Sequence, residues 1–198
     1  TNFKLDSNSR ISLSNNDSGD YNTVFGNDVG DPASGQDHCT FIGHNVAATG
    51  TMTNAADNNT GVGAWVLNDL TSGDSNTGIG YDALAKLTTG KENVVVGSTA
   101  ADAITIGRYH VALGVNALGA ETIGDKSIAI GNHALGLQVS GSNNAIAGNI
   151  GIGYDAGYYN VTGTNNTYVG YKAGVGASGQ SNSGNTAVGK SALEAITD

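Results

Sequence analysis

Proline, cysteine, tryptophan and methionine each occur once in 198 residues, and phenylalanine three times. A lone cysteine, Cys39, excludes an intrachain disulfide. A lone proline, Pro32, and glycines without a three-residue period exclude collagen. So few large rings argue against a wide globular core, and a thin core of Val, Ile, Leu and Ala is expected instead. Positive charge is scarce too, with 8 Lys and Arg against 17 Asp and Glu, for a net charge of −9. Phosphate binding needs clustered cations, so the charge argues against nucleic acid and anionic membrane surfaces as partners. No apolar run approaches the ~18 residues of a membrane span, so membrane insertion is not expected. The chain starts without Met and is read as a segment of something longer.

Glycine is what the chain has in abundance, 31 in all, about twice the usual ~7 % share. Its placement is periodic. Gly26, Gly43, Gly63, Gly80, Gly97, Gly114, Gly131, Gly153, Gly170 and Gly189 align one motif, with 17 residues between neighbours in six of nine intervals. A second column, Gly73, Gly90, Gly107, Gly124, Gly141 and Gly163, follows ten residues later. Such a period is the signature of a solenoid. It predicts an all-β fold, a parallel β-solenoid of about ten 17-residue coils. Two glycine corners per coil mark positive φ or close backbone approach.

Three residues before the first glycine stand Thr23, Thr40, Thr60, Thr77, Val94, Val111, Ile128, Ile150, Thr167 and Thr186. One residue before it, every side chain from Phe25 to Val188 is apolar. These two columns share a strand face, and that face is expected to point inward. The residue between them, often Gly or Ala, then faces outward and suits contact with another subunit. The threonines also prompt an ice-binding face, which their inward placement argues against. Seven of ten residues at the preceding position are Asn, which predicts a side-chain ladder at a turn. Cys39 and His110 occupy that column and read as structural. After the glycine, pairs such as Ala83-Leu84 and Ala117-Leu118 predict a second short strand or bend that feeds the core. Residues 1–20 are expected to form a leading strand or cap, with Ile11 and Leu13 alternating with serines, and residues 21–198 the repeat domain.

The unit Asn-Thr-x-(Val/Ile)-Gly-x-x-Ala-(Leu/Gly), as in Asn166-Thr167-Tyr168-Val169-Gly170 and Asn22-Thr23-Val24-Phe25-Gly26, resembles the head repeats of trimeric autotransporter adhesins of the YadA type. It is even more similar to longer-period repeats of bacteriophage tail fibres and related appendages. The resemblance implies a left-handed β-roll in an intertwined or side-by-side homotrimer. It also implies a structural and receptor-binding role on a virion tail appendage or an extracellular surface. A bacterial surface adhesin head and a purely structural filament or spacer are the alternatives, and a polysaccharide depolymerase is a weaker one.

Catalytic and cofactor chemistry finds no motif. The histidines sit in different coils without metal-ligand spacing, and Gly-x-Gly triplets precede no helix that would bind phosphate. Carboxylates are scattered without the recurrent pair that glycoside hydrolysis requires. The acidic run Asp17, Asp20, Asp28, Asp31 and Asp37 fits a solvated face better than a calcium site. No cofactor, metal or catalytic residue is therefore assigned. The binding candidates follow the first glycine: His44, Tyr81, Tyr154 and Tyr171 in one column, Trp65 in the next, and Tyr158 and Tyr159 nearby. Aromatic faces beside polar groups suit a host cell-surface glycan or protein. The competing reading of the tyrosines is a ladder that shields a corner or a subunit seam.

Overall fold

The computed structural model describes residues 9–12, 21–30, 35–143, 145–177 and 181–195. Among them it contains strands and turns and no helix. Ten short strands recur once per coil: β2 (Thr23–Asn27), β3 (Thr40–His44), β4 (Thr60–Ala64), β5 (Thr77–Tyr81), β6 (Val94–Val96), β7 (Val111–Leu113), β8 (Ile128–Ile130), β9 (Ile150–Ile152), β10 (Thr167–Val169) and β11 (Thr186–Val188). Each pairs in parallel with the next, glycine column opposite glycine column in the longer strands. The result is one sheet in strict chain order, a β-solenoid of about nine turns between ten strands. A further strand, β1 (Ser9–Ser12), lies antiparallel to β2 at one edge. Leu13 lies outside the described residues.

The strand faces are the reverse of the sequence expectation. The middle residue of each strand points in: Val24, Phe41, Val95, Ala112, Ala129, Tyr168 and Ala187 are all buried. The β-branched columns on either side point out, with Val94 44 %, Val96 37 % and Val188 68 % exposed. The reason is volume. A single coil encloses a very narrow interior, and the bend after the glycine already delivers an Ala and a Leu into it. At β4 a Cβ on Gly61 would stand 2.7 Å from Val46 Cγ1. Where the bend supplies Leu67 or Leu84, the strand supplies Gly61 or Gly78. Where the strand supplies Tyr168, the bend supplies Gly157 and Gly174, and a Cβ on either would run into the Tyr168 ring. With the threonines outward, the orientation argument against ice binding lapses. Val94, Val111, Ile128 and Ile150 still interrupt the threonine array.

The bend itself is not a second strand. Its residues are turns in which the second and fourth positions after the glycine take positive φ, as at Asp82 (55°) and Leu84 (54°). Its Ala and Leu columns are fully buried from Ala83-Leu84 to Ala134-Leu135, so the expected contribution to the core is present. The two glycine columns also differ. Gly80 has a φ of 139°, and a Cβ there would overlap the carbonyl of Gly97. Gly90 has no such φ and is required by approach alone, since a Cβ would overlap the carbonyl of Gly107.

The asparagine ladder exists and does more than stack. Asn59 Oδ1 accepts from the Asn76 backbone N–H at 2.9 Å, and Asn76 Oδ1 accepts from that of Asn93 at 3.1 Å. The Nδ2 of Asn76 donates to the Gly90 carbonyl at 3.0 Å, tying the strand to the second corner of its own coil. These amides are fully buried, and each donor and acceptor they use would be costly to leave unpaired. Cys39 takes the same position as the asparagines and is buried, its Sγ 3.2 Å from the Ala56 carbonyl.

Candidate functional site

The residues following the first glycine continue directly from the strand and turn the chain through residues of positive φ. Gly153 turns the chain, Tyr154 projects outward, and Asp155 takes φ 53°. The same steps in the next coil give Tyr171 and Lys172 (φ 56°). Tyr154 and Tyr171 therefore stack one coil apart, ring centroids at 5.4 Å and planes within 13°. His133, at the position of Asp155 one coil earlier, lies 6.5 Å from the Tyr154 ring and 5.7 Å from that of Tyr158. Its Nδ1 is 3.5 Å from Asp155 Oδ1. On the other side, Lys172 and Lys190 stand 5.6 and 6.0 Å from the centroid of Tyr171.

Tyr154 and Tyr171 are thus a ladder whose faces meet each other, a histidine and two ammonium groups. Both residues remain about half exposed. The groove beside them is a cleft of about 440 Å³, lined by His133, Asp155, Tyr158, Tyr159, Lys172 and Glu194 among others. Tyr158 and Tyr159 meet edge to face at 4.8 Å and give the cleft its aromatic wall. One ammonium, one imidazole, two carboxylates and the phenol hydroxyls converge on a ligand-sized space. That inventory donates and accepts many hydrogen bonds. Among the described residues, no group of three or more His, Cys, Asp or Glu is arranged to hold a metal. Asp17, Asp20 and Asp31 of the acidic run lie outside the described residues.

Of the aromatic candidates, the structure brings together Tyr154, Tyr158, Tyr159 and Tyr171. Trp65 and His44 form a separate pair, edge to face at 5.8 Å, several coils away. Tyr81 is half-exposed between the two groups. Sequence reasoning did not select His133, Asp155, Lys172 or Glu194. Their signal is positional, because the first three share the second place after the glycine and Glu194 shares the fifth with Tyr158.

A second polar cluster is buried in the coils of β7 and β8. His110 and Ser127 replace two asparagines of the ladder. The His110 ring lies 2.6 Å from the Gly124 carbonyl through Nε2, and its Nδ1 is 3.2 Å from the Ser127 backbone N–H. Donating at one nitrogen and accepting at the other requires the neutral ring. Burial lowers its pKa in agreement. Nearby, Glu121 is fully buried. Its Oε1 accepts from the backbone N–H of Thr122, Ile123, Gly124 and Ser140 at 2.9–3.2 Å. Its Oε2 accepts from Gln138 and from the Ser140 hydroxyl. Burial alone would raise this carboxyl's pKa, but hydrogen bonds from Gln138, Gly124 and Ser140 outweigh it and hold the group below its ordinary value. Gln138 also donates to Ser127 and accepts from Asn149, so the ladder is rerouted and then resumes.

No helix of the described residues is long and apolar enough to cross a membrane. No family model, curated protein or solved structure matches the chain.

Proposed function

We propose that this chain is a non-enzymatic structural and receptor-binding module of a bacteriophage tail fibre or spike. In this reading it works as a left-handed β-roll within a homotrimer on the virion tail appendage. The observation that carries the proposal is the outward stripe. From Thr23 to Val188 the sheet presents two parallel columns of β-branched and apolar side chains along its whole length. One column is apolar in every coil while the other mixes threonine with Val and Ile, and an outward apolar column of this length marks an interaction surface. A second and third copy carry the same columns at the same strand spacing, so copies can dock coil against coil. The cleft beside Tyr158 then contacts a host surface glycan or protein.

Light scattering on the purified chain tests the assembly. The proposal expects three times the 19.8 kDa of one chain, in a form that resists dissociation by detergent. A stable monomer would sink it. A glycan array tests recognition, with Lys172→Ala as the partner sample. Binding by the parent and loss in the variant supports the cleft. A trimer that stays silent on every glycan and every host-cell surface supports the spacer reading instead. A bacterial adhesin head predicts the same trimer, and differs in a membrane anchor encoded in the same reading frame.

A further inference from the structure

Two clefts are cut by the same coil positions. The cleft at Tyr158 uses the second, fifth and sixth residues after the first-column glycine. A second cleft of about 260 Å³ uses those same positions in the coils of β4, β5 and β6, and is lined by Trp65, Asp69, Asp82, Lys86 and Asp102. Both therefore open on one face of the rod, in line along its axis. Trp65 belongs to the coil of β4 and Tyr158 to that of β9, five strand spacings apart, or about 24 Å. Between them the fifth and sixth positions carry Ala103, Gly119, Ala120 and Gly136, with the Asn116 amide lying over Gly119 and the Tyr158 ring over Gly136. Leu137 is the one larger side chain on this path, and it is half-buried. Thr99 and Asn116 flank the path with a hydroxyl and an amide.

A small-residue floor, a hydrogen-bonding wall and an aromatic cleft at each end fit a linear polyhydroxylated chain. Trp65, 39 % exposed, offers aromatic surface to a sugar, and the half-buried Tyr158 and Tyr159 offer it at the far end. Three carboxylates against one ammonium at the Trp65 end disfavour an anionic sugar there. We propose that the two clefts are subsites for one neutral or amino-bearing polysaccharide laid parallel to the rod axis. The inference rests on the glycan reading above and adds the ligand's length, direction and charge.

Trp65 is the single tryptophan, so its emission reports the acidic cleft alone. The probe is bacterial O-antigen polysaccharide released by mild acid and fractionated into single repeat units and long chains. Long chains should change Trp65 emission, and Lys172→Ala at the far cleft should weaken that response at least about tenfold, because the second contact is intramolecular. Single repeats, too short to span both clefts, should show no effect of Lys172→Ala at Trp65. Tyr158→Ala serves as a second far-cleft variant, with circular dichroism and oligomer mass as folding controls for both. Long-chain binding with no Trp65 response leaves the Tyr158 cleft standing alone, a Trp65 response indifferent to both far-cleft variants leaves the Trp65 cleft alone, and either result overturns the joint site. Calorimetric silence with every fraction defeats the glycan reading and this inference together.

Discussion

At the scale of single residues, side-chain volume decides more than polarity. Tyr168 fills the space that Gly157 and Gly174 leave open, and glycines have no side chain with which to refill it. Tyr168→Ala should therefore cost about 3–5 kcal/mol, read as a lowered urea midpoint, whereas Tyr168→Phe keeps the ring and should cost far less. Cys39 shows burial acting on chemistry, since desolvation pushes its thiol up to about 11. A disulfide reagent at neutral pH should label it only as fast as the coil opens, and at once in denaturant. His110 and Glu121 set the acid limit. Both have native pKa values below their ordinary ones, so both stabilise at higher pH and lose that contribution as pH falls. The His110 contribution goes first, below about pH 6.5, and that of Glu121 follows below about pH 4.5. His110→Asn restores the ladder amide and should flatten the first leg of a plot of Tm against pH while leaving the second.

At the scale of the element, the strand is legible in sequence and its orientation is not. Asn76, Thr77, Ile79 and Gly80 recur with enough regularity to place the strand, its turn and its ladder. Alternation alone does not say which face is inward. One face carries Thr77 and Ile79, the other Gly78, and apolar side chains ordinarily go inside. The resolving signal is a correlation between distant positions: Gly61 and Gly78 accompany Leu67 and Leu84, while Tyr168 accompanies Gly174. Single columns hide it because neither position is constant. The cleft is half legible for a similar reason. Tyr154 and Tyr171 share a chemistry and a column, whereas His133, Asp155 and Lys172 share only the column. The outward stripe carries its own prediction. Val96→Asp and Ile130→Asp put carboxylates on a solvent-facing side of one chain, so a lone coil should tolerate them. Buried between copies they should convert the trimer to monomer by light scattering with little change in circular dichroism.

At the scale of the whole molecule, each coil touches only its neighbours, since every strand pairs with the one before and the one after. Stability is then nearly a sum over coils and their junctions. Deleting Thr77 through Asn93 removes one 17-residue coil and joins Asn76 to Val94 in unchanged register. The shortened chain should fold, with its longest dimension by small-angle scattering reduced by about 4.8 Å. Deleting eight residues from the same stretch breaks both the ladder and the glycine columns and should not yield a folded rod.

The consecutive strand order also has a mechanical meaning. Hydrogen bonds between coils run along the rod axis, so tension between the two ends opens them one row at a time rather than shearing many together. Each rupture frees 17 residues in six of the nine coils and 19 to 22 in the other three, on the order of 55–75 Å of extended chain, and leaves the next coil as the new end. Under load a single chain is thus a yielding tether that lengthens coil by coil. Three chains in register would have to peel together, which turns the same sequence from a tether into a strut.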